Sequence, residues 1–537
     1  MKKEKKYVVV AFLIGVVYRL LMGLQGIDTV DMGYCMTFYQ NFFSHPDALP
    51  YYFNYYLTGL VGGIWHLLFG QFGLIGFRVL ETLTMSAAIW LLYLSFSPWL
   101  NSTIVAAVAV LQSFLFPSFV VTFHFDTLAF LLMSASVYGL SHWFRNGHPV
   151  WMFLAGLMIG LSFYTRNMTG GLVALAIFPF YWGAQTSWRK GQNNAAFYMS
   201  GLAVGCLAVL CVIGALGHLQ YYLAALQEMV TSIGSAESSH GVGIFWRGYF
   251  KSYINIALQI LVIALMALYF GDAGLLSSRL RTAIRTVMLV VLFILVLTSQ
   301  PYLSAVAICT LLIAITREPH PLTFYALACA YLFPIGSGSS IQGVFHWCGG
   351  LLIIPAACCY LRLGSQWQRT VTGLVGLFIA VNMVYRMGSK AYGEEQSRLV
   401  TTEVALPGTL NTMTDSERAQ SYRNEVARIR QAAGDNPLLL IGNQASELYY
   451  ATGLLPFTGN TQVAAFLGDD LTERLDRQLA YYRRLPLIAF IERSHEPEPE
   501  DAEEFRELVK PWMEQHGYRL AYEDKDIKLY KAETEKE

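Results

Sequence analysis

Apolar runs of near-bilayer length recur through the first two thirds of the chain, separated by short polar stretches, and then stop. By length and hydropathy the runs at 7–25, 75–96, 103–121, 127–144, 151–164, 172–182, 196–216, 253–270, 284–297, 303–315, 324–335, 344–361 and 371–385 read as transmembrane helices, about thirteen crossings in all. The stretch YYFNYYLTGLVGGIWHLLF at 51–69 is also long enough to cross. Its Asn54, His66, glycines and dense tyrosines suit the headgroup level better, so it reads as a re-entrant or interfacial helix. Charge supports that choice. If 51–69 does not cross, Arg145, Arg189 with Lys190, Arg279 with Arg281 and Arg285, Arg317, and Arg362 with Arg369 all fall on the side of the N-terminal lysines, as the positive-inside rule requires.

From residue 388 the pattern is that of a soluble α/β unit. Residues 416–433 have helical charge spacing, 437–441 reads as a buried strand and 445–452 as a short helix. A second strand at 485–491, an amphipathic helix at 502–517 and a closing strand pair at 518–530 follow. The expected organisation is a transmembrane unit at 1–387 and a soluble unit at 388–537, of ordinary domain size. An odd number of crossings puts the second unit on the outer face. The run EPEPED after His495 reads as a solvated loop.

Composition agrees with the pattern. The 537 residues are 55% hydrophobic and 14% charged, and the mean hydropathy is +0.41, which excludes a soluble protein of this size. Basic and acidic residues number 37 each, and no nucleic-acid partner is expected. Most of the eight cysteines, including Cys206, Cys211, Cys309, Cys329, Cys358 and Cys359, lie in apolar runs. No disulfide framework or zinc spacing is visible, and neither a metal nor a cofactor is expected. MKKEKK before the first run lacks a following small-residue cleavage site and reads as the cytoplasmic anchor of an uncleaved helix.

The candidate chemistry collects on the outer face. The stretch GIDTVDMGYCMTFYQNFFSHPD at 26–47 carries Asp28 and Asp31 ahead of Tyr34, Phe38, Tyr39, Phe42 and Phe43, an aromatic face at helical spacing that would lie along the interface. Asp126, in HFDTLAF, reads equally as a helix N-cap or as a rigidly held carboxylate. Arg166 stands at the outer end of a span against the positive-inside bias, where a guanidinium can hold a phosphate bidentately. Arg247 and Lys251 are weaker candidates of the same kind. Arg78 and Glu81, three apart on one helix, read as a structural ion pair. His124 and His346 lie near the outer face without metal-site spacing.

The order of these elements resembles the GT-C superfamily of membrane glycosyltransferases, especially the branch of the protein O-mannosyltransferases and lipid A aminoarabinose transferases. Asp31-Met32-Gly33-Tyr34 matches that branch's first acidic motif, with Met32 where the family often has Glu. Phe72-Gly-Leu-Ile-Gly-Phe-Arg78 matches the run entering the second span, Asp126 the second acidic position and Arg166 the basic residue after the fifth span. The resemblance covers residues 1 to about 185 and is architectural beyond. It implies a polytopic α-helical, GT-C-like protein with juxtamembrane helices, in a bacterial inner membrane, with its C-terminal unit periplasmic. The implied reaction is inverting transfer of a sugar from a polyprenyl-phosphate donor to a glycan, lipid or protein acceptor. Asp31 would be the general base, Asp28 or Asp126 would orient it or the acceptor, and Arg166, then Arg247 and Lys251, would meet the donor phosphate. Tyr34, Tyr55, His124 and His346 would line the groove. The alternative is a transporter or flippase of lipid-linked glycans, against which no internal repeat or paired broken helices are seen.

Overall fold

A computed structural model describes residues 2–29, 31–99, 122–234, 250–258, 260, 306–307, 309–310, 312–314, 316, 319–334, 341–360, 391, 394, 396–442, 445–461, 471–493 and 502–533. Among them three helical stretches are long and apolar enough to cross a membrane, Pro50–Trp99, Phe125–Asn146 and Trp188–Ala215. The spans expected at 103–121, 284–297 and 371–385, most of that at 253–270 and part of that at 303–315 lie outside the described residues. So do the basic loops at 279–285 and 362–369.

α1 (Lys2–Met22) leads into the loop that carries Asp28, and α2 (Asp31–Asn41) follows. A 3-10 stretch, Pro50–Tyr55, opens α3 (Tyr56–Phe69). At about 1.5 Å per residue, the 14 residues of α3 rise about 21 Å, short of a bilayer core. The segment expected to be interfacial is therefore a 3-10 stretch followed by a short α-helix. Gly59 and Gly62 of α3 have no side chain to keep α2 away, and the rings of Phe38 and Tyr39 sit where their Cβ atoms would be. Gly73, at φ 58°, turns the chain into α4 (Gly73–Phe96).

The membrane part continues with α5 (Phe125–Asn146), α6 (Val150–Ser162), a 3-10 stretch at Asn167–Ala176, α7 (Ile177–Ala184), α8 (Trp188–Ala215), α9 (Leu219–Gly234), α10 (Pro321–Leu332) and α11 (Ile341–Tyr360). One core joins α4, α5, α6, α8, α10 and α11 through residues such as Leu92, Met133, Ile159, Leu202, Cys329 and Leu351. The Tyr325 hydroxyl bonds Ser136 at 2.6 Å and Tyr198 at 2.8 Å within it, so these three hydroxyls are satisfied away from water. Leu13, Val17 and Leu21 of α1, and Leu207 of α8, are exposed, an outward apolar band that fits lipid.

The C-terminal part has two sheets. β1 (Glu403–Leu406) and β2 (Leu410–Thr414) form a hairpin that the sequence reading did not foresee. The second sheet has the order β3 (Leu438–Gly442), β4 (Leu487–Ile491), β6 (Ile527–Ala532), β5 (Tyr518–Glu523), with β3 and β4 parallel and the rest antiparallel. Its helices are α12 (Ser416–Ala433), α13 (Glu447–Thr452), α14 (Leu471–Tyr482) and α15 (Ala502–Gln515). β3 and β4 are apolar throughout because both faces are covered. Leu439, Ile441, Ile488 and Phe490 pack with Trp512 of α15. Leu438, Leu440, Leu487, Ala489 and Ile491 belong to the same core as Met32, Phe38, Phe77 and Tyr449. One face of this sheet thus shares its interior with the juxtamembrane helices.

Candidate active site

The acidic loop at 26–31 is built from backbone groups held by distant residues. Gly26 N–H donates to the Met413 carbonyl at 3.1 Å, and Met413 N–H to that of Leu24 at 2.8 Å. Arg78 donates to the carbonyls of Gly23, Gln25 and Gly26 and to Thr412 Oγ1. The structural pair expected between Arg78 and Glu81 does not describe Arg78, which caps this turn. Glu81 is electrostatically coupled to Arg19 of α1 instead. A buried guanidinium finds more geometry in converging carbonyls than in a carboxylate on its own helix.

Asp28 is buried and accepts the Asp31 N–H on Oδ1 at 3.1 Å, which holds the first turn of α2. Asp31 is only partly buried. Burial first, then the negative charges of Asp28 and Asp126, push its carboxyl up to about 7, with Arg166 opposing. Asp28, Asp126 and Arg166 therefore all lie within electrostatic reach of Asp31.

Asp126 stands in the first turn of α5, whose N-cap is His124, not Asp126 as the sequence suggested. His124 Nδ1 accepts the Asp126 N–H at 3.3 Å, which requires an unprotonated Nδ1. Burial and then the charge of Arg166 hold His124 down to about 3, so the His124–Asp126 approach of 3.8 Å joins a neutral ring to a carboxylate. His124 stacks on Trp347 with 5.6 Å between centroids. Asp126 receives Arg166 Nη1 on Oδ1 at 3.1 Å and Oδ2 at 3.4 Å. Burial disfavours the Arg166 charge, but the Asp126 carboxylate opposes it and the guanidinium stays charged.

The sequence places Arg166 here through its neighbours. Leu57 N–H donates to the Tyr164 carbonyl at 2.8 Å and Thr58 Oγ1 to that of Thr165 at 3.2 Å, so the start of α3 fixes the chain just before Arg166. The guanidinium lies 4.7 Å from the Phe125 ring centroid, a cation–π contact. Tyr55 stacks on Phe125 at 4.5 Å, and Tyr34 stacks on Tyr52 at 5.0 Å. The result is a partly buried carboxylate, a fixed ion pair and an aromatic wall.

Asp28, Asp31, Asp126, Arg166, Tyr34, Tyr55 and His124 are thus brought together. Lys251 is exposed, and among the described residues no contact ties it to this cluster. Arg247 and the side chain of His346 lie outside the described residues. Sequence reading missed Phe125, Tyr52 and Trp347. Phe125 had a signal, being the residue before Asp126 in a run of aromatics. Tyr52 and Trp347 had none, since their neighbours are far away in sequence.

Residues 57–214 match the family model described as dolichyl-phosphate-mannose-protein mannosyltransferase, a segment that includes Asp126 and Arg166. The fold is similar to a crystal structure of ArnT from Cupriavidus metallidurans bound to undecaprenyl phosphate, with a TM-score of 0.53 and 13% identity over 98% of this chain and 97% of that one. The apo-state structure of the same protein gives a TM-score of 0.45 and 14% identity over 97% of each chain. No curated protein matches the sequence. At such identity the structural likeness is one of fold. The chain thus shares the fold of the ArnT crystal structure and, at residues 57–214, matches the segment described by the dolichyl-phosphate-mannose-protein mannosyltransferase model.

Proposed function

We propose that this chain moves a sugar from a polyprenyl-phosphate donor to an acceptor hydroxyl on the outer, periplasmic face of a bacterial inner membrane, with inversion at the anomeric carbon. The observation that carries the reading is the Asp126–Arg166 pair set beside a partly buried Asp31 at the N-terminal ends of two helices. The donor class is that of the matching family's description and of the lipid bound in the ArnT crystal.

The three carboxylates divide the work by environment. Asp126 is bound to Arg166, and Asp28 uses an oxygen on the α2 backbone. Asp31 keeps partial exposure and a pKa matched to neutral pH, as a general base needs. Its carboxylate takes the acceptor proton while the acceptor oxygen attacks the anomeric carbon. The bond from that carbon to the phosphate oxygen breaks on the opposite side, and its electron pair leaves with the polyprenyl phosphate. Arg166 faces the charge that grows on the phosphate, and Asp126 aims it. Tyr55, which keeps partial exposure, offers an aromatic wall to the sugar and the prenyl chain, with Phe125 and Tyr34 packed behind it.

The test is turnover by purified protein in one compartment with a polyprenyl-phosphate sugar, read as released polyprenyl phosphate. Asp31→Asn is expected to lose about 10²- to 10⁴-fold in kcat with folded protein unchanged. Normal turnover by that variant removes Asp31 from the role. Absence of turnover, with movement of the intact lipid-linked sugar across vesicles in its place, makes the chain a transporter.

A further inference from the structure

We infer that Ser446, in the C-terminal part of the chain, is a positioning residue that fixes Thr29, beside Asp28 and ahead of Asp31, and so sets the reactive geometry of the two acids; this rests on Asp31 being the base. The front half of the acidic loop is held by Arg78 and β2 as described. Nearer Asp31, Thr29 is held by Ser446. The Thr29 carbonyl accepts from Ser446 N–H at 3.0 Å and from Ser446 Oγ at 2.9 Å. Ser446 occupies the N-cap position of α13, where a serine usually turns its oxygen back to the helix. Here the side chain makes no capping bond, and its hydroxyl donates to the loop.

Two further observations show that Ser446 is itself fixed. α2 rests on it directly: a Cβ on Gly33 would lie 2.1 Å from Glu447 N and 2.4 Å from Ser446 Oγ, so no side chain fits between them. Glu447, its neighbour, is completely buried and bound by Arg493 Nη1 at 2.9 Å. The same guanidinium donates to Glu425 from Nε at 2.9 Å and from Nη2 at 2.6 Å, and its centre lies 4.6 Å from the Tyr422 ring centroid. Breaking a buried network of this kind leaves an uncompensated charge, which keeps α13 from drifting. The path runs from Arg493 through Glu447 and Ser446 to Thr29, and from there to the two acids.

The experiment uses the full chain with a polyprenyl-phosphate sugar as donor. Ser446→Ala removes one of the two bonds to Thr29. It is expected to lower kcat roughly tenfold with the donor KM unchanged, to shift the pH midpoint of kcat, and to speed amide hydrogen exchange at 28–33. Ser446→Thr keeps the hydroxyl and is expected to restore most of the rate. In the Asp31→Asn background the Ser446→Ala change should cost less than about twofold, since coupled residues are not additive. Equal losses in both backgrounds, or a loss that follows the amount of folded protein, would overturn the inference. The two readings fail separately. Unchanged exchange at 28–33 removes the hold and leaves the base. Faster exchange and lower kcat alongside a fully active Asp31→Asn keep the hold and remove the base.

Discussion

Asp31 owes its proposed role to its neighbours, and they make its titration testable. An aspartate in water is ionised above pH 3.8, whereas this one changes charge near 7. A base must be ionised to act, so kcat is expected to fall about tenfold per pH unit below that value, not below pH 4. Linkage has the opposite sign: a carboxyl raised by folding favours its protonated form, so this group withdraws stability as pH climbs from its unfolded value towards 7. Asp28 and Asp126 raise the pKa and Arg166 lowers it. Asp28→Asn keeps the oxygen that accepts from Asp31 N–H and should move the midpoint of kcat down. Arg166→Gln should move it up as well as slow turnover. Full pH profiles of the three proteins check this, and a midpoint that moves the same way in both variants would show that another group is being titrated.

Elements were the most legible level, because hydropathy and charge period report on them directly. The helix expected at 416–433 is α12, residue for residue, and the strands and helices expected after it are found within a few positions. The β1–β2 hairpin was missed because its strands are only four and five residues long, though Pro407-Gly408 marks its turn. Also unread was the spacing that sets how α6 meets α8. Gly156 and Gly160 face Gly201 and Gly205, and a Cβ on Gly156 would lie 1.9 Å from the Tyr198 carbonyl oxygen, one on Gly201 1.9 Å from that of Phe153. Small residues four apart let two membrane helices touch backbone to backbone. The spacing is visible in each helix, but it does not name the partner. Gly156→Val and Gly201→Val should each destabilise the fold by roughly 1–3 kcal/mol through overpacking. Gly214→Val, where nothing lies within 4 Å, should be silent. Thermal unfolding in detergent distinguishes them; equal melting of all three would refute the close packing.

At the scale of the whole molecule, the sequence disclosed which residues could carry chemistry but not what holds them. Asp28, Asp31, Asp126 and Arg166 were legible as charges in unusual places. Thr412, Ser446 and Thr461 were not, because a hydroxyl far away in sequence gives no sign of its target. Yet the C-terminal part touches the juxtamembrane helices through such groups. Thr461 N–H donates to the Tyr52 hydroxyl at 2.9 Å, and Tyr52 stacks on Tyr34. Arg474 of α14 bonds the Thr458 carbonyl and Glu228 of α9, each at 3.0 Å. With side chains 17% and 24% exposed, the pair is screened in part, and its coupling should be about 1 kcal/mol or less. Reversal is more informative than removal. Arg474→Glu or Glu228→Arg alone sets like charges together and should lower the unfolding temperature. The double reversal should recover the charge attraction while leaving the Thr458 carbonyl without its donor, so stability returns only in part. The difference should shrink at high salt. A double variant as unstable as the two single losses added together would mean that α9 and α14 do not meet through this pair, and that the C-terminal part is held to the membrane part by its apolar core and the loop contacts alone.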